Sequence, residues 1–161
     1  MRRVLLALIA TIATPAGAQR TQPTLPTAPR GMDYVETVCT GGIDGRFEQV
    51  RVLASGQIMK VTRRSDTVLR AKATRGEVAR LWRSLDLSRF ERRTVVREKP
   101  FIADGIDCSL TRRKNGLVHV VTLLQQIRDR AEYRDLTRVI DDVNGLGGRA
   151  TGPILRPAGA R

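Results

Sequence analysis

Residues 106–125 read Ile-Asp-Cys-Ser-Leu-Thr-Arg-Arg-Lys-Asn-Gly-Leu-Val-His-Val-Val-Thr-Leu-Leu-Gln, and the Asn115-Gly116 pair at their centre decides the fold. A two-residue type I′ turn needs positive φ at both central positions, and Asn-Gly meets that need at least strain. The stretch therefore predicts a β-hairpin joining Ile106–Lys114 to Leu117–Gln125. Two-residue register sets Leu110 opposite Val121, Cys108 opposite Leu123 and His119 opposite Arg112. Ile106, Cys108, Leu110, Val121 and Leu123 then share one face, which must meet a core. Cys108 points inward on that face, toward a partner elsewhere in the chain.

Upstream, β-forming residues run from Asp33 to Thr40 and stop at Gly41-Gly42. After the segment Gly41-Gly42-Ile43-Asp44-Gly45, strands are predicted over Phe47–Leu53 and Ile58–Thr62, with a turn at Ala54–Gln57 and a short edge strand over Thr67–Ala71. Thr74-Arg75-Gly76-Glu77 is a capping box, and Val78, Leu81, Trp82 and Leu85 follow at helical spacing. Trp82 reads as a core anchor, since its neighbours on that stripe are aliphatic. A second capping box, Asp129-Arg130-Ala131-Glu132, precedes the stripe Tyr133, Leu136, Val139, Ile140 and Val143, with Asn144-Gly145 as its C-cap. Strands, helix, hairpin and helix in this order give an α+β domain, a mostly antiparallel sheet with two helices on one face.

The termini read differently. Arg2-Arg3, the apolar run Val4–Ala13 and Ala16-Gly17-Ala18 have the pattern of a cleavable signal peptide over residues 1–18, with a mature chain starting at Gln19. An uncleaved anchor is the competing reading, but it would need roughly 20 apolar residues, and Pro15 and Gly17 end the run early. The expectation is export to the periplasm or beyond, without a transmembrane anchor. Residues 19–32, with Pro23, Pro26 and Pro29, read as an extended disordered linker. Residues 147–161, rich in Gly and Pro, read as a disordered tail. That leaves one domain over 33–146.

The chain carries a formal charge of +13, from 29 basic and 16 acidic residues. Removing the leader arginines leaves about +11. In an exported protein this favours a protein partner or an anionic envelope component, with nucleic acid not expected; a solvated arginine-rich surface is the plain alternative. Cys39 and Cys108 are the only cysteines, so one intramolecular bridge is the sole pairing within the chain. Closing a loop of about 69 residues would stabilise by roughly 4 kcal/mol in the chain-entropy model. A redox centre would more ordinarily use a close Cys pair.

Catalytic patterns are missing from the sequence. His119 is the single histidine and lies mid-hairpin, which leaves nothing for a Ser–His or Cys–His site except itself. Too few Cys and His remain for a zinc site, and no cofactor motif is present. The pairs Asp141-Asp142 and Asp104/Asp107 are of the kind glycosidases use, but each lies beside a cap or a strand start. The chain therefore reads as a non-enzymatic binding or accessory domain, with a motif-free small hydrolase as the third reading.

The binding feature is the loop Gly41, Gly42, Ile43, Asp44 and Gly45. Three glycines in five residues permit positive φ, and Ile43 is an apolar side chain in a polar turn. It is either a projecting apolar tip or a residue tucked into the core beneath a tight strand connection. Thr40-Gly41-Gly42-Ile43-Asp44-Gly45-Arg46, the strand pair after it and the capped helix resemble the emfourins, small α+β inhibitors of thermolysin-like metalloproteases. Emfourins carry an early Gly-Gly-aromatic-x-Gly segment; here Ile43 stands in place of the aromatic. The resemblance spans about residues 34–143 and implies protease inhibition, while the leader and the two cysteines depart from the family pattern. The chain also resembles exported domains that open with a Cys- and Gly-bearing strand turn and carry no assigned activity.

Overall fold

In a computed structural model describing residues 24–65, 67–93, 105–128 and 130–151, the Asn115-Gly116 hairpin forms in the expected register. Strands β5 (Ile106–Lys114) and β6 (Leu117–Leu123) pair antiparallel, with Leu110 opposite Val121, Cys108 opposite Leu123 and Arg112 opposite His119. Asn115 and Gly116 sit at φ 53° and 81°, both in the left-handed region. Upstream lie β1 (Tyr34–Gly41), β2 (Arg46–Leu53), β3 (Gln57–Thr62) and β4 (Leu69–Lys72). All pairings are antiparallel, in the spatial order β4-β3-β2-β1-β5-β6, so the first strand is central and the hairpin adds to its free side.

Period-two alternation divides the sheet into two faces. Val35, Cys39, Val50, Val52, Ile58, Cys108, Leu110, Val121 and Leu123 form one, buried under helices α1 (Arg75–Leu87) and α3 (Arg134–Gly147). Both helices lie on this face, which makes the fold α+β as the sequence indicated. Helix α1 starts with both bonds of the capping box: Thr74 Oγ1 accepts from the Glu77 amide, and Glu77 Oε2 accepts from the Thr74 amide. Val78, Leu81 and Leu85 are its buried stripe. Trp82 is only half-buried; it packs against the core, and the guanidinium of Arg112 covers its ring at 4.7 Å.

The closing helix departs from expectation at both ends. Asp129 lies outside the described residues, and the long helix begins at Arg134, after the single turn α2 (Gln125–Arg128) and a 3-10 turn at Ala131–Tyr133. Tertiary bonds set that start. Arg93 donates to the Glu132 carbonyl and to Asp135, and Thr137 Oγ1 donates to the Arg128 carbonyl. Nor do Asn144 and Gly145 cap the helix, which continues to Gly147. Asn144 turns inward instead, its Oδ1 accepting from buried Thr37 Oγ1 and its Nδ2 reaching Cys39 Sγ. Gly147 sits against Val50 so closely that a β-carbon would overlap its methyls.

Both flanking segments hold more structure than their composition implies. Of the expected linker, residues 24–29 lack regular structure but dock through Leu25 and Ala28, and a turn at Arg30-Gly31 leads into β1. Leu25 is 6% exposed among Phe47, Leu53, Met59 and Val61 on the face opposite the helices. Its amide donates to Gln49, and Arg51 Nη1 donates to the Pro26 carbonyl. The apolar face opposite the helices needed a cover, and Leu25 supplies part of it. Beyond α3, Ala150 is buried and Thr151 exchanges backbone hydrogen bonds with Arg70 of β4. The expected leader at 1–18, residues 19–23 and residues 152–161 lie outside the described residues. Among the described residues no helix is long and apolar enough to cross a membrane.

Candidate functional site

The loop between β1 and β2 is built from three backbone conformations that glycine favours. Gly41, Gly42 and Gly45 have φ of 117°, 76° and 57°. At Gly41 the need is also steric, since a β-carbon there would collide with the Gly105 carbonyl oxygen, part of the backbone leading into β5. The turn is closed by Gly45 N–H donating to the Gly42 carbonyl at 2.9 Å, and tied to β5 by Gly42 N–H donating to the Gly105 carbonyl at 3.1 Å. Arg63, just past β3, donates from Nη1 to the carbonyls of Asp44 and Gly45, each at 3.0 Å. A β-carbon at Gly45 would displace that guanidinium.

This bracing leaves Ile43 at the tip, 87% exposed, the most exposed of the large apolar side chains among the described residues. The tucked alternative is thereby overturned: Gly41 and Gly42 carry the chain outward, and the sheet face below is already filled by Cys39, Cys108 and the helices. A single exposed isoleucine would mean little alone. One held on a loop with its backbone conformation fixed by hydrogen bonds is pre-organised for contact.

The base of the loop is stapled. Cys39 lies directly opposite Cys108 in the β1–β5 register and the two form a disulfide, both at most 2% exposed. Arg128 approaches Cys108 Sγ through Nη1 at 3.7 Å and bonds Asp141 through Nη2 at 3.0 Å, so Asp141 serves an ion pair. Asp107 accepts from the Gln125 amide at the start of α2, whereas Asp104 lies outside the described residues. Asp141 lies on the α3 side of a groove with Glu77 on the α1 side, and each of these carboxylates is paired with an arginine, Arg128 and Arg149 respectively.

The loop is bordered by cations that sequence reading did not single out. Arg46, exposed, bonds Glu48 at 2.8 Å, and Lys60 bonds the same carboxylate at 2.6 Å. Burial alone would raise the Glu48 pKa, but hydrogen bonds from Arg46 and Lys60 outweigh it and hold the carboxyl below its usual value. Arg64 is exposed beside Arg63. The available signal was register: β2 and β3 pair Glu48 with Thr62, which sets the Arg63-Arg64 doublet next to the loop.

The residues considered for catalysis are engaged in structure. His119 Nε2 lies 2.9 Å from the Arg93 carbonyl, and its ring meets Phe90 edge-on at 5.1 Å. A shallow groove between α1 and α3, lined by Arg80, Ser84, Leu87 and Asp142, holds charged side chains that point to solvent. Neither a family model nor a curated protein matches this sequence, so the resemblance to emfourins rests on the loop and the order of elements alone.

Proposed function

We propose that the chain is an exported, non-enzymatic binding domain that engages a protein partner through the Gly41–Gly45 loop, and that its narrower role is inhibition of a secreted or periplasmic thermolysin-like metalloprotease. The observation that carries this reading is Ile43, almost fully exposed on a loop whose backbone is held by Arg63 and by the Gly42–Gly105 bond. Burying that side chain in a partner pocket is worth about 2 kcal/mol, and the fixed backbone spares the ordering cost that a floppy loop would incur. The cross-strand disulfide agrees with an oxidising compartment. Export itself has a direct check, since protein recovered from the periplasm should begin at Gln19.

The functional test titrates the mature protein, residues 19–161, against purified thermolysin near equimolar ratio. Inhibition should be close to stoichiometric, and Ile43→Asp should remove it while leaving the melting temperature within about 2 °C, since the side chain touches solvent in the free protein. The carboxylate would have to be desolvated without a partner, so a loss of at least 100-fold in affinity is expected. Inhibition that survives Ile43→Asp would rule out the loop as the contact.

A further inference from the structure

The surroundings of the loop define the chemistry of what it docks into. Among the described residues, Arg46, Arg63 and Arg64 border it on the β2–β3 side, with Lys60 behind them, against Glu48 and the tip carboxylate of Asp44. Across the sheet, Asp107 is turned to the Gln125 amide at the start of α2. The two cations that share Glu48 leave one positive charge there, and Arg63 is bonded to neutral carbonyls, with no carboxylate paired to it among the described residues. An apolar tip therefore stands in front of a one-sided basic collar.

Resting on the loop reading above, we infer that the partner is a protein presenting an apolar pocket that accepts Ile43, with carboxylates on the side of the rim that meets Arg46, Arg63 and Arg64. A bilayer fits less well. Its anionic headgroups would repel Asp44 beside the tip, and a lipid surface makes no use of a loop fixed by four hydrogen bonds. The two parts of the surface divide the work. Rim charges act chiefly on the association rate and its salt dependence, and the anchored apolar side chain acts on dissociation.

The experiment measures association and dissociation rates of the full mature protein with purified thermolysin at ionic strengths from about 0.05 to 0.5 M, and repeats them with vesicles of phosphatidylglycerol and phosphatidylcholine. Arg63 is left intact because it braces the loop. The variants are Arg46→Gln with Arg64→Glu, and separately Ile43→Asp. The inference expects an association rate that falls at least tenfold across the salt range, is at least tenfold lower in the arginine variant at low salt, and loses most of its salt dependence there. Dissociation should change less than about threefold in that variant and rise sharply in Ile43→Asp. An Ile43-dependent complex with a salt-independent association rate, unmoved by the arginine changes, overturns the acidic rim and leaves the loop reading standing. Absence of any complex with the protease removes both. Ile43-dependent retention on anionic vesicles without protease binding assigns the surface to lipid and overturns the inference.

Discussion

Arg112 permits a stability prediction whose sign runs against the usual treatment of an ion pair. Its side chain is 1% exposed on the helix face of β5, bonded to Asp86 and Glu91, each at 2.7 Å, and stacked on Trp82. The two carboxylates are 54% and 50% exposed. Only the cation is buried, so the outcome of breaking the network depends on which partner goes. Asp86→Ala with Glu91→Ala strands a guanidinium in the core, which by the behaviour of broken buried pairs should lose about 3–5 kcal/mol. The Trp82 ring, worth up to about 2 kcal/mol to a desolvated cation, offsets part of that, and about 3 kcal/mol is the expected net loss. Arg112→Met removes the cation instead. Asp86 and Glu91 then hydrate freely, methionine fills most of the volume, and the loss should stay under about 1 kcal/mol. Urea unfolding followed by Trp82 fluorescence measures both. With a slope near 1.5 kcal/mol/M, the double variant should shift its midpoint down by about 2 M and Arg112→Met by less than 0.7 M. If Arg112→Met proves the more damaging, the network stabilises through its charges and the burial argument is wrong.

Three further outcomes follow from the same packing. Gly41→Ala should destabilise by at least about 2 kcal/mol, since it forces a β-carbon into the Gly105 carbonyl at a φ that alanine resists, whereas Gly42→Ala, whose β-carbon would meet only the Ile106 side chain at ordinary contact distance, should lose only about 1 kcal/mol; paired thermal melts decide. Gly147→Ala should cost about 1–3 kcal/mol by overpacking Val50 despite its better helix propensity, and a stabilised variant would contradict the close approach of α3 to β2. Acid should weaken the fold through Glu77, whose pKa is lowered to about 2 by the Thr74 backbone hydrogen bond and by Arg149. Because that carboxyl titrates lower when folded than unfolded, its contribution is complete above about pH 4.5 and disappears as pH falls toward 2. Asp86, held low chiefly by Arg112, acts in the same direction. Melting temperature against pH should therefore fall through this window, and less steeply in Glu77→Gln.

What could be read from the sequence was whatever local chemistry specifies. Asn115-Gly116 fixed a hairpin whose register then placed Cys108 and Leu110 correctly, and the Thr74–Glu77 box fixed the start of α1. The errors came where a tertiary partner outbid a local signal. Asn144-Gly145 has the form of a helix stop, but Asn144 is held by Thr37 and Cys39, contacts 107 and 105 residues away in sequence. Leu25 sits in a proline-rich stretch without periodicity and is buried because the second face of the sheet required cover. The loop glycines were legible as a feature, but the exposure of Ile43 was not. Whether a residue in a turn points in or out depends on what already fills the space beneath it.

The same disulfide that secures the fold also sits where it can govern the loop, and the two roles make separable predictions. Cys39 lies two residues before Gly41, and its partner Cys108 lies two after Ile106, the residue that pairs with Gly41. Closing a span of 69 residues is worth about 4 kcal/mol in the chain-entropy model, so Cys39→Ala with Cys108→Ala should lower the melting temperature by about 15 °C. That loss is global and would be the same wherever in the β1–β5 ladder the bridge stood. Its position adds a local effect. Without the staple, the end of the ladder that carries the Gly42–Gly105 bond is free to fray, because among the described residues its β1–β5 pairing ends at Gly41 and Ile106. Amide exchange under conditions where the variant is still fully folded should show Gly42 losing protection ahead of the β2–β3 ladder, with faster dissociation from any partner of Ile43. Uniform loss of protection across the sheet would confine the bridge to a role in stability and leave Arg63 as the brace that matters.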